Sequence, residues 1–139
     1  MINRSMKTAD NTRTFAIGCA RLASAKKADD ISVLNMIKTS LGITDYFVIC
    51  SGNNKKQNQA IADQFLSNLK GLILGIEGYE QGNWIVVDLG SVVVHIFHES
   101  LRKFYDLEFL WSDVPRVRLP KNQLHPSVRK ASAGRITQR

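Results

Sequence analysis

Apolar residues fall at helical spacing in two stretches of the chain and alternate in strand fashion in others, with polar or glycine-bearing breaks between them. Residues 1–9 are polar and are expected to be disordered. Asp10 or Asn11 can cap a helix running to about Lys27, with Phe15, Cys19, Leu22 and Ala23 on one face. Asp29 and Asp30 break it. Ile31 to Met36 reads as a strand, Thr39 to Thr44 with Gly42 as a turn, and Asp45 to Cys50 as a second strand rich in β-branched and aromatic residues. Ser51 to Asn54 forms a loop and helix start. The helix that follows runs to Leu69 or Lys70, with Ile61, Phe65 and Leu69 four apart on its inner face and Gly71 and Gly75 marking its end. Glu77 to Gly82 is a short strand or turn. Glu99 to Tyr105 reads as a short helix, and Leu107 to Trp111 as a further helical turn.

A hairpin lies between Gly82 and Glu99. Trp84 to Leu89 and Val92 to Phe97 flank Gly90 and Ser91, and a glycine in the first turn position suits a type II′ turn. A two-residue turn fixes the register, so Leu89 faces Val92, Val87 faces Val94 and Ile85 faces Ile96. Those six aliphatics form a core face. The other face carries Trp84, Val86, Asp88, Val93, His95 and Phe97. Either a helix or the C-terminal segment covers it, or it is a partner-binding patch anchored by its aromatics. The element order α-β-β-α-(β)-β-β-α gives an α/β (α+β) fold, a mixed sheet packed with helices, with no internal repeat.

The 139 residues argue for one domain, and 44% apolar with 22% charged residues reads as globular. No apolar run approaches the roughly 20 residues of a membrane span, and the first ten residues lack a signal-peptide core; a cytoplasmic protein with no membrane partner is expected. The charge is unevenly placed. Arg116, Arg118, Lys121, Arg129, Lys130, Arg135 and Arg139 follow the last acid, Asp113, and account for the whole net charge of +7. The chain thus divides into the N-terminal segment 1–9, a neutral body over 10–115 and a basic tail over 116–139, punctuated by Pro120 and Pro126 and expected to be flexible.

Little in the sequence points to chemistry. Cys19 and Cys50 have no ligand spacing and read as reduced, buried small residues. His95 and His98, three apart in a strand, point to opposite faces and do not converge on a metal. Ser51-Gly52 before a helix hints at anion binding but lacks the glycines and lysine of a phosphate loop. The basic tail either tracks RNA phosphates or is merely solvated. With no aromatics interleaved, any nucleic-acid contact would be electrostatic.

Five segments carry a family resemblance. Asp45-Tyr46-Phe47-Val48-Ile49 followed by Ser51-Gly52 is similar to D-Y-F-V-I-x-S/T-G, and Gln59-Ala60-Ile61-Ala62-Asp63 to the helix signature after it. Glu77-Gly78 with Trp84-Ile85-Val86-Val87-Asp88 resembles E-G followed by W-I/V-L/V-L/V-D. Val92 to Phe97 resembles V-V-V-H-x-F, and Phe104 to Trp111 matches F-Y-x-L-E-x-L-W. In order and correctly spaced over about residues 14–115, they resemble the Iojap-like ribosomal silencing factor family. The resemblance implies a nucleotidyltransferase-like fold without catalytic activity. It implies a protein that binds the large ribosomal subunit through ribosomal protein number fourteen at the intersubunit face. Joining of the small subunit is then blocked sterically, and translation is repressed when nutrients run short. No cofactor or metal is implied.

Nucleotidyl transfer needs paired carboxylates for divalent metal, and Asp88 stands alone between Val86 and Gly90 on its face. Carried over residue by residue, the implied contact set is Tyr46, Trp84, Asp88, His95, Phe97, Tyr105 and Trp111, of which Tyr105 and Trp111 have the alternative of packing the C-terminal helix onto the sheet. Ser91 stands where the family often has Asp, and residues 116–139 run past the signature. The seven basic residues after Pro115 are candidate RNA contacts. An RNA-binding module acting in ribosome assembly through the aromatic face and tail is the alternative reading, and a nucleotidyltransferase-like enzyme a more distant one. Pairing of two copies off the ribosome is left open.

Overall fold

The computed structural model describes residues 2–37 and 44–120, with only the backbone of residues 2–10 and of Glu108. The expected turn at Gly42 and the basic residues Lys121, Arg129, Lys130, Arg135 and Arg139 lie outside the described residues.

Helix α1 spans Ile2–Ala25. It begins well before the expected cap at Asp10 or Asn11, and residues 2–9 are helical rather than disordered. No proline or glycine interrupts the chain before Gly18, and extending an existing helix costs far less than nucleating one. Its buried side chains are small: Ala16, Cys19, Ala20 and Ala23, flanked by half-buried Phe15 and Leu22. The helix ends close to the expected Lys27, and what stops it is Lys27 itself, at a left-handed φ of 63°, rather than the paired aspartates. There Ala28 N–H donates to the Ala23 carbonyl at 3.2 Å and Lys27 N–H to that of Ser24 at 2.9 Å, a Schellman closure. Asp29 and Asp30 instead open strand β1, Asp29–Asn35, where the register shifts between Asp29 and Ser32 and Asp30 sits at φ 50°.

Strand β2 is Tyr46–Gly52 and helix α2 Lys55–Asn68. Asn54 caps α2 by accepting from Gln57 N–H at 2.8 Å, and Gln57 accepts in return from Asn53 N–H at 2.7 Å. Ile61, Ala62 and Phe65 form its buried stripe. A 3-10 turn, Lys70–Leu72, leads to β3, Gly75–Glu77; then come β4, Trp84–Asp88, and β5, Val92–His98. Two short helices follow, α3 at Glu99–Phe104 and α4 at Leu107–Leu110, and a two-residue strand β6, Arg116–Val117.

The strands form one six-stranded sheet in the order β3-β4-β5-β2-β1-β6. All neighbours are antiparallel except β2 and β5, which are parallel. The hairpin has the expected register, with Ile85 opposite Ile96 and Val87 opposite Val94, and Gly90 takes φ 85° in its turn. Strand β6 departs from the sequence reading. Arg116 and Val117 pair with Leu34 and Val33, Pro115 accepts from Asn35 N–H at 2.8 Å, and Val117 and Leu119 pack partly into the core. The segment after residue 115 therefore starts as the sheet's last strand.

Both long helices pack on one face of the sheet. Their core takes Val33, Val48 and Cys50 together with Ile85, Val87, Val92, Val94 and Ile96, all fully buried. A mixed α+β fold is thereby established. The opposite face is covered differently, and that difference places the candidate site.

Candidate partner-binding face

The parallel pairing of β2 with β5 sets Phe47 beside Val93 and Ile49 beside His95, while the hairpin sets Trp84 opposite Phe97 and Val86 opposite His95. Because side chains alternate along each strand, these residues share the face turned away from α1 and α2. A second, smaller core forms there from Leu34, Met36, Ile49, Phe97 and Leu107, with Phe47, Leu101, Trp111 and Val114 packed against it. The short α3 and α4 supply the covering residues, and their coverage is partial.

An aromatic cluster results. The Phe47 ring meets His95 edge-on at 4.6 Å between centroids, Trp84 lies 5.0 Å from Phe97, and Trp111 lies 6.2 Å from Phe47 and 6.3 Å from Phe97. Trp84 tops this cluster and stays 46% exposed. Its indole Nε1–H donates to His95 Nδ1 at 3.1 Å. An indole nitrogen only donates, so Nδ1 holds a lone pair and the neutral ring carries its proton on Nε2. Nε2 is buried without a hydrogen-bond partner among the described residues. Burial among rings pushes the imidazole pKa down to about 4, so His95 is neutral near pH 7.

The structure separates the implied contact residues. Trp84 and His95 sit together as described. Tyr46 does not join them: the same alternation that exposes Phe47 turns Tyr46 into the helix-side core at 4% exposure. Phe97 lies on the expected face but is a floor residue, 1% exposed. Asp88, at the far end of β4, accepts from Gly90 N–H at 2.9 Å and shapes the hairpin turn. Trp111 packs onto the sheet, whereas Tyr105 is exposed and meets Phe104 edge-on at 5.0 Å. Of the basic residues, Arg116 donates to Ser32 Oγ at 2.8 Å, and Arg118 is exposed in the segment that follows β6.

Sequence reasoning missed Phe104, Phe109 and Leu110, which are 79%, 76% and 65% exposed on α3 and α4. The signal was present: Phe104 to Trp111 holds more large apolar residues than two helices of six and four residues can bury. Phe47 was missed because the parallel β2–β5 register is not local. Buried Arg102 was also missed. It donates to the Asp30 carbonyl at 2.8 Å and Ser51 Oγ at 2.9 Å, tying α3 to β1 and β2.

The polar groups near the site serve structure. His98 caps α3, accepting from Ser100 N–H at 3.1 Å. Gly52 makes room for Asn58, whose Nδ2 donates to the Gly82 carbonyl at 2.8 Å; that contact accounts for the Ser-Gly pair. Both cysteines are free and buried, with thiols pushed up to about 12 by desolvation. Among the described residues, no three His, Cys, Asp or Glu converge as a metal site, and no helix is long and apolar enough to cross a membrane. What the face offers is apolar, aromatic area suited to binding.

The chain is similar to known proteins. The family model described as "Ribosomal silencing factor during starvation" matches residues 9–138. That span includes most of the segment placed outside the signature by motif. The chain is 50% identical over 97 residues to the ribosomal silencing factor of Halalkalibacterium halodurans, covering 68% of this chain and 82% of that one. It is 46% identical over 108 residues to the Bacillus subtilis factor, covering 76% and 91%. The chloroplastic Iojap protein of Arabidopsis thaliana is 32% identical over 108 residues, 76% of this chain and 45% of that one. Among solved structures, a Chromobacterium violaceum protein matches at TM-score 0.64 and 32% identity, covering 74% of this chain and 85% of that chain. A Bacillus halodurans protein matches at 0.59 and 40%, covering 84% and 99%.

Proposed function

From a chain that belongs to the family of ribosomal silencing factors, we propose a protein that docks on the large ribosomal subunit and keeps the small subunit from joining. The aromatic face is the docking surface. Its partner is ribosomal protein number fourteen at the intersubunit side, the action is steric, and translation is repressed under nutrient limitation in the cytoplasm. The observation that carries the reading is Trp84, half-exposed and hydrogen-bonded above a ring cluster on the sheet face that α1 and α2 leave uncovered. Aromatics held rigidly at the centre of a patch are the residues that dominate binding energy. Tyr105, Phe104 and Phe109, on or beside α3 and α4, offer further exposed aromatic area. The fold is proposed to be a nucleotidyltransferase-like scaffold without catalysis, since Asp88 follows Val86 on its face of β4 and serves the hairpin turn.

The experiment is binding of purified protein to isolated ribosomal protein number fourteen and to large subunits, with subunit joining followed by sedimentation. Trp84→Ala should cost about 2 kcal/mol or more, roughly 30-fold in affinity, and restore joining. Binding by the wild type that Trp84→Ala leaves unchanged moves the site to the Tyr105 and Trp111 end. No binding by the wild type overturns the reading.

A second contact is supported by the charge distribution. Arg116, Arg118 and the basic residues after Pro120 are proposed to touch ribosomal RNA beside the protein contact. Removing residues 121–139 leaves β6 in place and should flatten the salt dependence of binding, because fewer phosphates are neutralised. An unchanged salt slope would limit the interface to protein. Affinity that vanished with the truncation would favour the RNA-binding reading.

A further inference from the structure

His95 is an odd residue to bury. Its ring lies among Phe47, Trp84, Phe97 and Trp111, where an aliphatic side chain would fill the space without a polar atom to satisfy. Among the described residues its Nε2–H has no partner, and the ring's hydrogen bond is the one it accepts from Trp84. A buried donor left unmatched costs stability, so the fold itself gains nothing from the imidazole at this position. Trp84 itself is half-exposed. The bond does remove freedom. Without it the indole is held only by ring contacts, tilted 34° on Phe97 and 41° on His95, and can rotate more freely about its side-chain bonds.

We propose that His95 is a positioning residue for docking, fixing the Trp84 indole through Nδ1 so that the anchor meets its partner already oriented. This rests on the docking reading above. Ordering a large side chain before contact lowers the entropy lost on association, so the gain appears in affinity and not in the stability of the free protein. His95 is beneath the anchor and acts through it. Its neutral Nδ1 lone pair is the feature required, which an Asn oxygen at the same branch position reproduces and a Leu does not.

The test is a double-mutant cycle on the full chain, using His95→Leu, His95→Asn and Trp84→Phe, with affinity for isolated large subunits and the Trp84 indole N–H proton signal as the two readouts. His95→Leu should leave the fold at least as stable, shift the indole signal toward that of a water-exposed tryptophan, and weaken binding roughly tenfold. In the Trp84→Phe background, which has no N–H to hold, the same substitution should change affinity by no more than about twofold. His95→Asn should recover most of both signals. Equal losses in the two backgrounds, or full affinity in His95→Leu with a shifted indole, would overturn the positioning role while leaving docking intact. A wild type that fails to bind the subunit overturns docking itself, and this role with it.

Discussion

The carboxamide oxygen of Asn58 occupies the space that a Cβ on residue 52 would need. The carboxamide cannot swing aside freely, because Nδ2 is committed to the Gly82 carbonyl at 2.8 Å. Gly52→Ala is therefore expected to push the start of α2 off β2 and to destabilise the fold by about 3 kcal/mol in chemical denaturation. The loss should be partly relieved when Asn58→Ala is added, since the two residues compete for one volume. Purely additive losses would show that the clash is absorbed elsewhere.

Lys27 offers the opposite case. It holds a left-handed φ of 63° at the end of α1, with its side chain exposed. A Cβ in that conformation costs energy that glycine avoids. Lys27→Gly should raise stability by roughly 0.5–1 kcal/mol, offset in part by the greater freedom of glycine in the unfolded chain. A thermal midpoint that fell would count against the Schellman closure.

The imidazole of His95 gives a pH signature. Its pKa is near 6.5 in an unfolded chain and is held down to about 4 by burial in the fold. Between those values the unfolded chain takes up a proton that the folded one refuses. Stability should therefore be complete above about pH 6.5, fall as the pH drops toward 4, and change no further through this group below that. The total is at most roughly 3 kcal/mol. Urea titrations of wild type and His95→Leu across this range should show the slope in the former and its loss in the latter.

Cys19 and Cys50 should both resist thiol reagents in the native state, since each is buried and pushed up to about 12. Labelling at pH 8 is expected only at the rate of unfolding, and fast labelling of either would contradict its placement against the sheet.

Most of the secondary structure was legible because it is written locally. The hairpin register follows from Gly90 and a strict alternation on both sides, and the α2 stripe from Ile61, Phe65 and Leu69. What was not legible depends on distant partners or on backbone closure. Tyr46 and Phe47 are both aromatic and adjacent, and only the pairing of β2 with β5 and the packing of α1 decide which one is buried with the helices. The end of α1 near Lys27 was legible but its cause was not: the paired aspartates look like breakers, whereas the stop is a left-handed lysine. Strand β6 lay hidden in a segment read by charge, since two residues are too few to show a period. Trp84 and His95 were placed on one face from spacing; that one holds the other required the register and the rotamers.

The two sides of the sheet differ in what anchors them. Helices α1 and α2, 24 and 14 residues long, press fully buried aliphatics against the strands. Helices α3 and α4, six and four residues long, carry more large apolar area outward than inward, and are tied down mainly by Leu101, Arg102, Leu107 and Trp111. Amide protons under the long helices should exchange with solvent only through global unfolding, while those of α3 and α4 should exchange through cheaper local opening. A partner seated on the aromatic side would then quieten that opening, and the slowing of exchange there, spreading no further than the short helices, would mark its footprint without any substitution at all.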